Sequence, residues 1–280
     1  MVNSDRSLLP HVHQIAQRMF LDTADLNYIG ARSAYFEERD WDFWWLTLHS
    51  IEKYLKMLLL MNGRTAKNGS HDIKKLLEMV RGVDLRLEPP PLTCPSIIDL
   101  EEHWHTYPDC KFIKRLNEYG SASNRYGTYG YTLFTDDLMK ADQLIYWARR
   151  HARLLRSEIG DGNVVHSIDW IDLLARNQKD WHLHAGPLEK IAALPETNPR
   201  RWSLVNLNAA FFPDVTHRLD RWRSSASNAP IVEWIEDLTI SEPDSDERST
   251  SRAVILWVIK NIQLSKSDEE ELRNLLKTHE

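Results

Sequence analysis

Three observations predict an all-α chain, an antiparallel helical bundle over residues 1–160 followed by a helical C-terminal region over residues 161–280. Apolar residues recur at steps of three and four through the longest apolar stretch, Trp41 to Gly63. The same period appears upstream from Val12 to Gly30 and downstream from Leu138 to Leu155. Alternation suited to strands is scarce throughout. With 280 residues, 42% of them hydrophobic, and 11 Trp, the chain can bury one large core or two modest ones.

The central helix is expected from Trp41, with Asp40 as its cap, and the αL-tolerant Asn62-Gly63 is expected to end it. Its apolar face carries Trp41, Trp44, Leu48, Ile51, Leu55 and Leu58. Its other side carries His49, Glu52, Lys53 and Lys56, with Glu52 four residues ahead of Lys56 in the order that favours an exposed pair. Before it, His11 to Glu38 reads as a first helix, restarted at Asp22-Thr23, and the tight Arg39-Asp40 turn implies an antiparallel pair. After it, residues 71–80 read as a shorter helix with Ser70 or Asp72 at its N-cap and Gly82 beyond its end. Pro89-Pro90-Pro91 and Pro95 require an extended linker. Ser96 to His105 reads as a short helix, Asn117 to Tyr131 as a loop, and Asp136 or Asp137 to Gly160 as the last bundle helix. Beyond a boundary near Gly160-Asp161-Gly162, short helices are expected at residues 167–175, 187–193, 216–223, 231–238, 251–262 and 267–277, with an acidic, Ser-rich stretch over residues 241–251.

No apolar run approaches bilayer length, since MLLLM is flanked by Lys56 and Arg64, and no cleavable signal arrangement opens the chain. A cytoplasmic protein with no membrane partner is therefore expected. Two cysteines, Cys94 and Cys110, fall short of a disulfide framework. The net charge of −6 argues against wholesale coating of nucleic acid, but it is unevenly spread: residues 1–160 balance 21 Lys and Arg against 21 Asp and Glu, and residues 161–280 carry the excess. An anionic ligand belongs on the first half. P-loop, dinucleotide fingerprint and nucleophile elbow are all lacking, which removes the usual apparatus of nucleotide hydrolysis, hydride transfer and serine hydrolysis.

Asp25-Leu26-x-Tyr28 with Ala31-Arg32, Ser50-x-Glu52-Lys53-Tyr54-Leu55-Lys56 with Leu59-Leu60-x-Asn62-Gly63, His71-Asp72-Ile73 with Leu76-Leu77, and Asn124-Arg125-Tyr126 together resemble the HEPN superfamily over residues 12–158. The resemblance implies an up-and-down helical bundle, commonly a homodimer, and a module that binds RNA or a nucleotide in a toxin, defence or stress system. It also implies a second reading, a metal-independent endoribonuclease. Active members carry an Arg and a His with four to six residues between them, and Arg64 and His71 satisfy that spacing inside the recognisable bundle. In that chemistry an imidazole exchanges the 2′-hydroxyl proton while a guanidinium holds the scissile phosphate. Other Arg/His pairs with such spacing occur at the rate chance supplies, so context has to select this one. A third reading is a non-catalytic scaffold that binds a protein partner through Trp41, Trp45 and Trp147.

The candidate RNA or nucleotide contacts are Lys53 and Lys56 on the central helix, Arg125 and Tyr126 in the Gly-rich loop, and Arg149, Arg153 and Arg156. The last three are expected along one flank of the last bundle helix as a track for phosphates. Each has a bland alternative: a solvated helix face, ring packing of the loop, and pairing of the arginines with acids of the second half such as Asp169 and Asp172. His71 has one too, as a residue that holds the start of its helix. Cys94, His103, His105 and Cys110 lie close in sequence but lack a Cys-x-x-Cys knuckle, so neither a metal site nor a cofactor is expected.

Overall fold

In residues 40–61 apolar side chains recur on more than one face, and the chain forms a helix that others pack around. The computed structural model describes residues 9–69, 71–99, 101–106, 108–124, 130–160, 165–177, 181–182, 186–219, 222–262, 264 and 266–279. The order begins α1 (Leu9–Ala16), a π-helical turn, α2 (Asp22–Phe36), α3 (Asp40–Met61), α4 (Ile73–Arg81) and α5 (Asp109–Tyr119). It continues with β1 (Tyr131–Phe134), α6 (Thr135–His151), β2 (Arg156–Gly160), β3 (Val165–Asp169), α7 (Trp170–Arg176), α8 (Pro187–Ala192) and α9 (Pro199–Val205). It ends with β4 (Ser224–Ser227), α10 (Val232–Ile240), α11 (Asp246–Asn261) and α12 (Lys266–Thr278). The fold is mostly helical, as expected. None of the described helices is long and apolar enough to cross a membrane.

Helices α2 and α3 form the antiparallel pair, and α4, α5 and α6 pack against α3. Phe43, Trp44, Leu48, Ile51, Leu55 and Leu58 are buried at its centre. Gly120 follows α5 where a Cβ would lie 2.6 Å from the Trp44 carbonyl oxygen, so only glycine permits this approach. Gly63 ends α3 at φ +70°, and the Arg64 N–H donates to the Leu59 carbonyl at 2.9 Å. The Asn62 side chain donates to the carbonyl of Arg153 at 2.9 Å and accepts from the Leu155 N–H at 3.0 Å, fastening the chain after α6 to the end of α3.

Several local expectations need correction. Asp40 is the first residue of α3, and its carboxylate is buried against Arg223, Ser225 and Tyr131 instead of capping the helix. The segment expected as a loop from Asn117 begins inside α5 and ends in β1, with residues 125–129 outside the described residues. Residues 96–105 contain a 3₁₀ turn at Glu101–His103, and no helix covers the described residues of 216–223. Helix α11 starts earlier than expected because the Ser245 hydroxyl accepts from the Arg248 N–H and caps it.

The largest difference is at the end of α6, which stops at His151 and not at Gly160. Arg156 then opens β2, which pairs antiparallel with β3 so that Arg156 faces Asp169. Strands β1 and β4 form a second antiparallel ribbon, Tyr131 opposite Ser227. One hydrophobic core runs from Ala16 through α3 and α6 to Trp181, Leu188, Leu204 and Phe211, across the boundary expected near residue 160. A separate, smaller core joins Leu238, Ile255, Leu272 and Leu276 of α10, α11 and α12.

Candidate nucleic-acid interface

The charged groups divide into those used inside the bundle and those left on its surface. Arg149, expected on a phosphate track, is buried at 1% side-chain exposure. Its Nε donates to Asp25 at 2.8 Å, and its other nitrogens reach Glu189 at 2.8 Å and the Trp181 carbonyl. Tyr54 donates to the same Asp25 carboxylate at 2.6 Å. Burial disfavours the charged guanidinium, but the hydrogen bond and charge of Asp25 outweigh it and raise the Arg149 pKa. Arg32 is buried in a second network, paired with Asp142, which also accepts from Tyr28 at 2.7 Å. Arg115 is held in a two-point pair with Asp137 at 2.7 and 2.8 Å.

These pairs break the expected arginine track. Arg149 lies in the core, the Arg153 guanidinium sits over the Trp170 ring at 5.2 Å, and Arg156 pairs with Asp84 at 3.0 Å and lies 3.9 Å from Asp169. Periodicity suggested a helix through residue 156, whereas the chain leaves the helix at Ala152 and turns these residues apart. Arg86 joins Asp169 and Asp172 at 2.7 Å each, so acids of the second half are matched by cations of the first. Arg125 and Tyr126 lie outside the described residues.

The candidates on α3 gather around one carboxylate. Glu52, read as half of an exposed pair, is 6% exposed in its side chain and accepts from three side chains. His49 Nδ1 lies 2.9 Å from Oε2, His71 Nδ1 lies 3.1 Å from both oxygens, and Lys56 Nζ bonds Oε1. Burial alone would raise this carboxyl, but its bonds to His49, Lys56 and His71 prevail and hold it at about 2. Two successive turns of α3 supply His49, Glu52 and Lys56 on one side, and the connection to α4 brings His71 to the same carboxylate. The His71 side chain remains 71% exposed. Lys53 is half-buried, and its ammonium is depressed by that burial. Arg64 instead points to the far end of α4, where it donates to the Gly82 carbonyl at 3.4 Å, and no hydrogen bond joins it to His71.

Four exposed cations follow in the connection and the start of α4. Arg64 and Lys67 in the connection, with Lys74 and Lys75 in the first turn of α4, are exposed and pair with none of the described carboxylates. The one acidic residue between Lys53 and Lys75 is Asp72, whose carboxylate is engaged as the N-cap of α4, accepting from the Lys74 N–H at 2.9 Å and the Lys75 N–H at 3.3 Å. Residues 53–75 therefore hold six lysines and arginines against one acid. Lys67, Lys74 and Lys75 were passed over in the sequence because neither period nor motif marks them. Their significance comes from the neutralisation of the arginines elsewhere.

The remaining candidates scatter. His103 stacks on Trp222 with ring centroids 5.0 Å apart, His105 approaches Asp136 at 3.1 Å, and the ligand atoms of Cys94, His103, His105 and Cys110 do not converge. Among the described residues the group of His, Cys, Asp and Glu side chains that does converge is His49, Glu52 and His71, with ligand atoms within 4.8 Å of one another. Trp41 packs edge-on against Tyr131, Trp45 against His49, and Trp147 is buried, so these rings are engaged within the chain itself. A cleft of about 500 Å³ between Tyr35, Trp202 and Arg218 is lined by Asp40 and Arg223, which neutralise each other. No protein-family model matches the chain, and neither a curated protein nor a solved structure does.

Proposed function

We propose that the chain is an HEPN-type RNA-binding module whose RNA-facing surface is the α3–α4 connection. The observation that carries this reading is the set of exposed cations at Arg64, Lys67, Lys74 and Lys75, which pair with none of the described carboxylates and follow half-buried Lys53 and Lys56 in the chain, on a molecule whose other described arginines are largely spent on carboxylates or carbonyls. Unpaired cations release the counterions of a phosphate chain without first losing an internal partner. Side chains in a connection and a first helical turn can follow a single strand, whose backbone is not fixed in one groove. The HEPN resemblance supports RNA as the polyanion, and it alone supports a homodimer and a toxin, defence or stress setting.

The test is fluorescence anisotropy of a labelled single-stranded RNA titrated with protein from low to moderate salt. Three to four phosphate contacts give a log–log salt slope of about −2 to −3 for a single strand. Lys74→Glu with Lys75→Glu, both solvent-facing and remote from the core, is expected to weaken binding at least tenfold while far-UV circular dichroism stays unchanged. Arg156→Glu, which lies outside this surface, is expected to leave affinity within about twofold. Equal losses from the two variants, or binding indifferent to salt, would refute the assignment. Excess ATP that competes fully with the RNA would identify a nucleotide pocket instead of a strand track.

A further inference from the structure

The cluster on α3 has a geometry that ion pairing alone does not require. His49 and Glu52 stand three residues apart on one helix, which places them on the same face, and His71 arrives from the following connection to complete a triangle. Both imidazoles turn Nδ1 inward: His49 Nδ1 is 2.9 Å from the carboxylate and His71 Nδ1 is 3.1 Å from each of its oxygens. His49 Nε2 is buried and has no hydrogen-bond partner among the described residues, so the ring is positioned through the atom that faces the centre. Trp45 packs edge-on against that ring at 4.1 Å between centroids and limits its rotation.

We infer that His49, Glu52 and His71 form a binding site for a borderline divalent cation of the zinc class, with solvent completing the coordination on the exposed side of His71. Two imidazole nitrogens and one carboxylate oxygen match the ligand set of open zinc sites. Zinc bonded to nitrogen and oxygen at about 2.0–2.2 Å in a tetrahedron separates its ligands by about 3.4 Å. The two imidazole–carboxylate edges, at 2.9 and 3.1 Å, open by a few tenths of an ångström around an ion, and the exposed His71 ring adjusts the third edge, which lies within 4.8 Å. The carboxylate is nearly dry, and the ring on the open side is exposed to solvent. Lys56 holds Glu52 Oε1 and is the group an ion displaces, its flexible stem letting the ammonium move to water. Calcium and magnesium are disfavoured, because the site offers one carboxylate and two nitrogens where those ions take oxygen. The site stands apart from the proposed RNA surface in its test, since metal binding is measured without RNA.

The experiment is calorimetric titration of Zn²⁺ into the full, tag-free chain after treatment with a chelator, followed by Co²⁺ substitution read by visible absorption. One equivalent is expected to bind with micromolar affinity or tighter, and Co²⁺ is expected to give the intense bands of a four-coordinate centre. His71→Ala, at an exposed position, is expected to lower affinity at least tenfold and to abolish the rise in melting temperature that Zn²⁺ gives the unaltered chain. Lys56→Met removes the competitor for Glu52 and is expected to tighten zinc binding severalfold. That increase separates a coordinating carboxylate from a merely structural one. Absence of stoichiometric binding, or equal affinity in the unaltered chain and His71→Ala, would overturn the inference and leave an ion cluster that fastens the α3–α4 connection.

Discussion

Arg149 shows what the buried charges contribute. A guanidinium at 1% exposure is tolerable because Asp25, Glu189 and the Trp181 carbonyl occupy its donors, while Tyr54 and the Leu188 N–H occupy Asp25 further. Removing one partner strands the other, which costs about 3–5 kcal/mol in comparable buried pairs, whereas replacing both by apolar groups is far milder. Arg149→Ala is therefore expected to lower urea-measured stability by about that amount, and Arg149→Met with Asp25→Leu to recover part of the loss. A loss below about 1 kcal/mol for Arg149→Ala would place this pair among solvated ones. Much of this was legible in the sequence only as a pattern without a reason. Asp25, Tyr28, Arg32, Glu52 and Tyr54, which carry the family resemblance, are buried polar residues here, and a buried ion or hydroxyl needs its partner at a fixed position. Which partner it has is a long-range fact: Asp25 meets Arg149 across 124 positions and Tyr28 meets Asp142 across 114.

Among the elements, those with a strong helical period were visible from residues alone. Asp72 caps α4 and Gly63 closes α3 as their residue types demand. The end of α6 was not visible, because the apolar steps through Ala152 and Leu155 continue after the helix has stopped. The side chain of Asn62, far away in the chain, takes the Arg153 carbonyl and the Leu155 N–H that a longer helix would have used. Helix α5 escaped notice for a related reason: Phe112 and Leu116 are too few to set a period, and Gly120 was read as a loop signal when it marks close packing on Trp44. The β2–β3 ribbon is clasped by Asp84, Arg86, Arg156 and Asp169, and this clasp has a pH dependence. Hydrogen bonds from Arg86, its largest cause, hold the Asp84 carboxyl at about 2, below its ordinary value. A depressed carboxyl contributes stability that is complete above the unfolded value near 4 and is lost as pH falls toward 2. Asp84→Asn is expected to flatten the acid limb of a denaturation profile between about pH 4 and 2, by a small amount because Arg86 is exposed. An unchanged acid limb would show that solvent already screens the clasp.

At the scale of the whole molecule, the two hydrophobic cores imply two levels of stability. The large core ties α2, α3 and α6 to residues as late as Phe211, so much of the second half folds with the bundle. The small core has Leu238, Ile255, Leu272 and Leu276 as its buried apolar residues, flanked by half-buried Trp234, Ile235 and Ile259. So few buried groups oppose the chain entropy of three helices only weakly. Helices α10, α11 and α12 are therefore expected to unfold at lower denaturant than the bundle, and two transitions should appear when urea unfolding is followed by far-UV circular dichroism. A chain ending at Pro230 retains every residue of the large core and both ribbons, and it is expected to lose the first transition while keeping the midpoint of the second. It also keeps every cation assigned to RNA and all three side chains assigned to the metal. RNA affinity and zinc stoichiometry should consequently survive the truncation. A single transition in the full chain, with a truncated form that no longer folds, would mean that the small core supports the large one and that the chain is one cooperative unit.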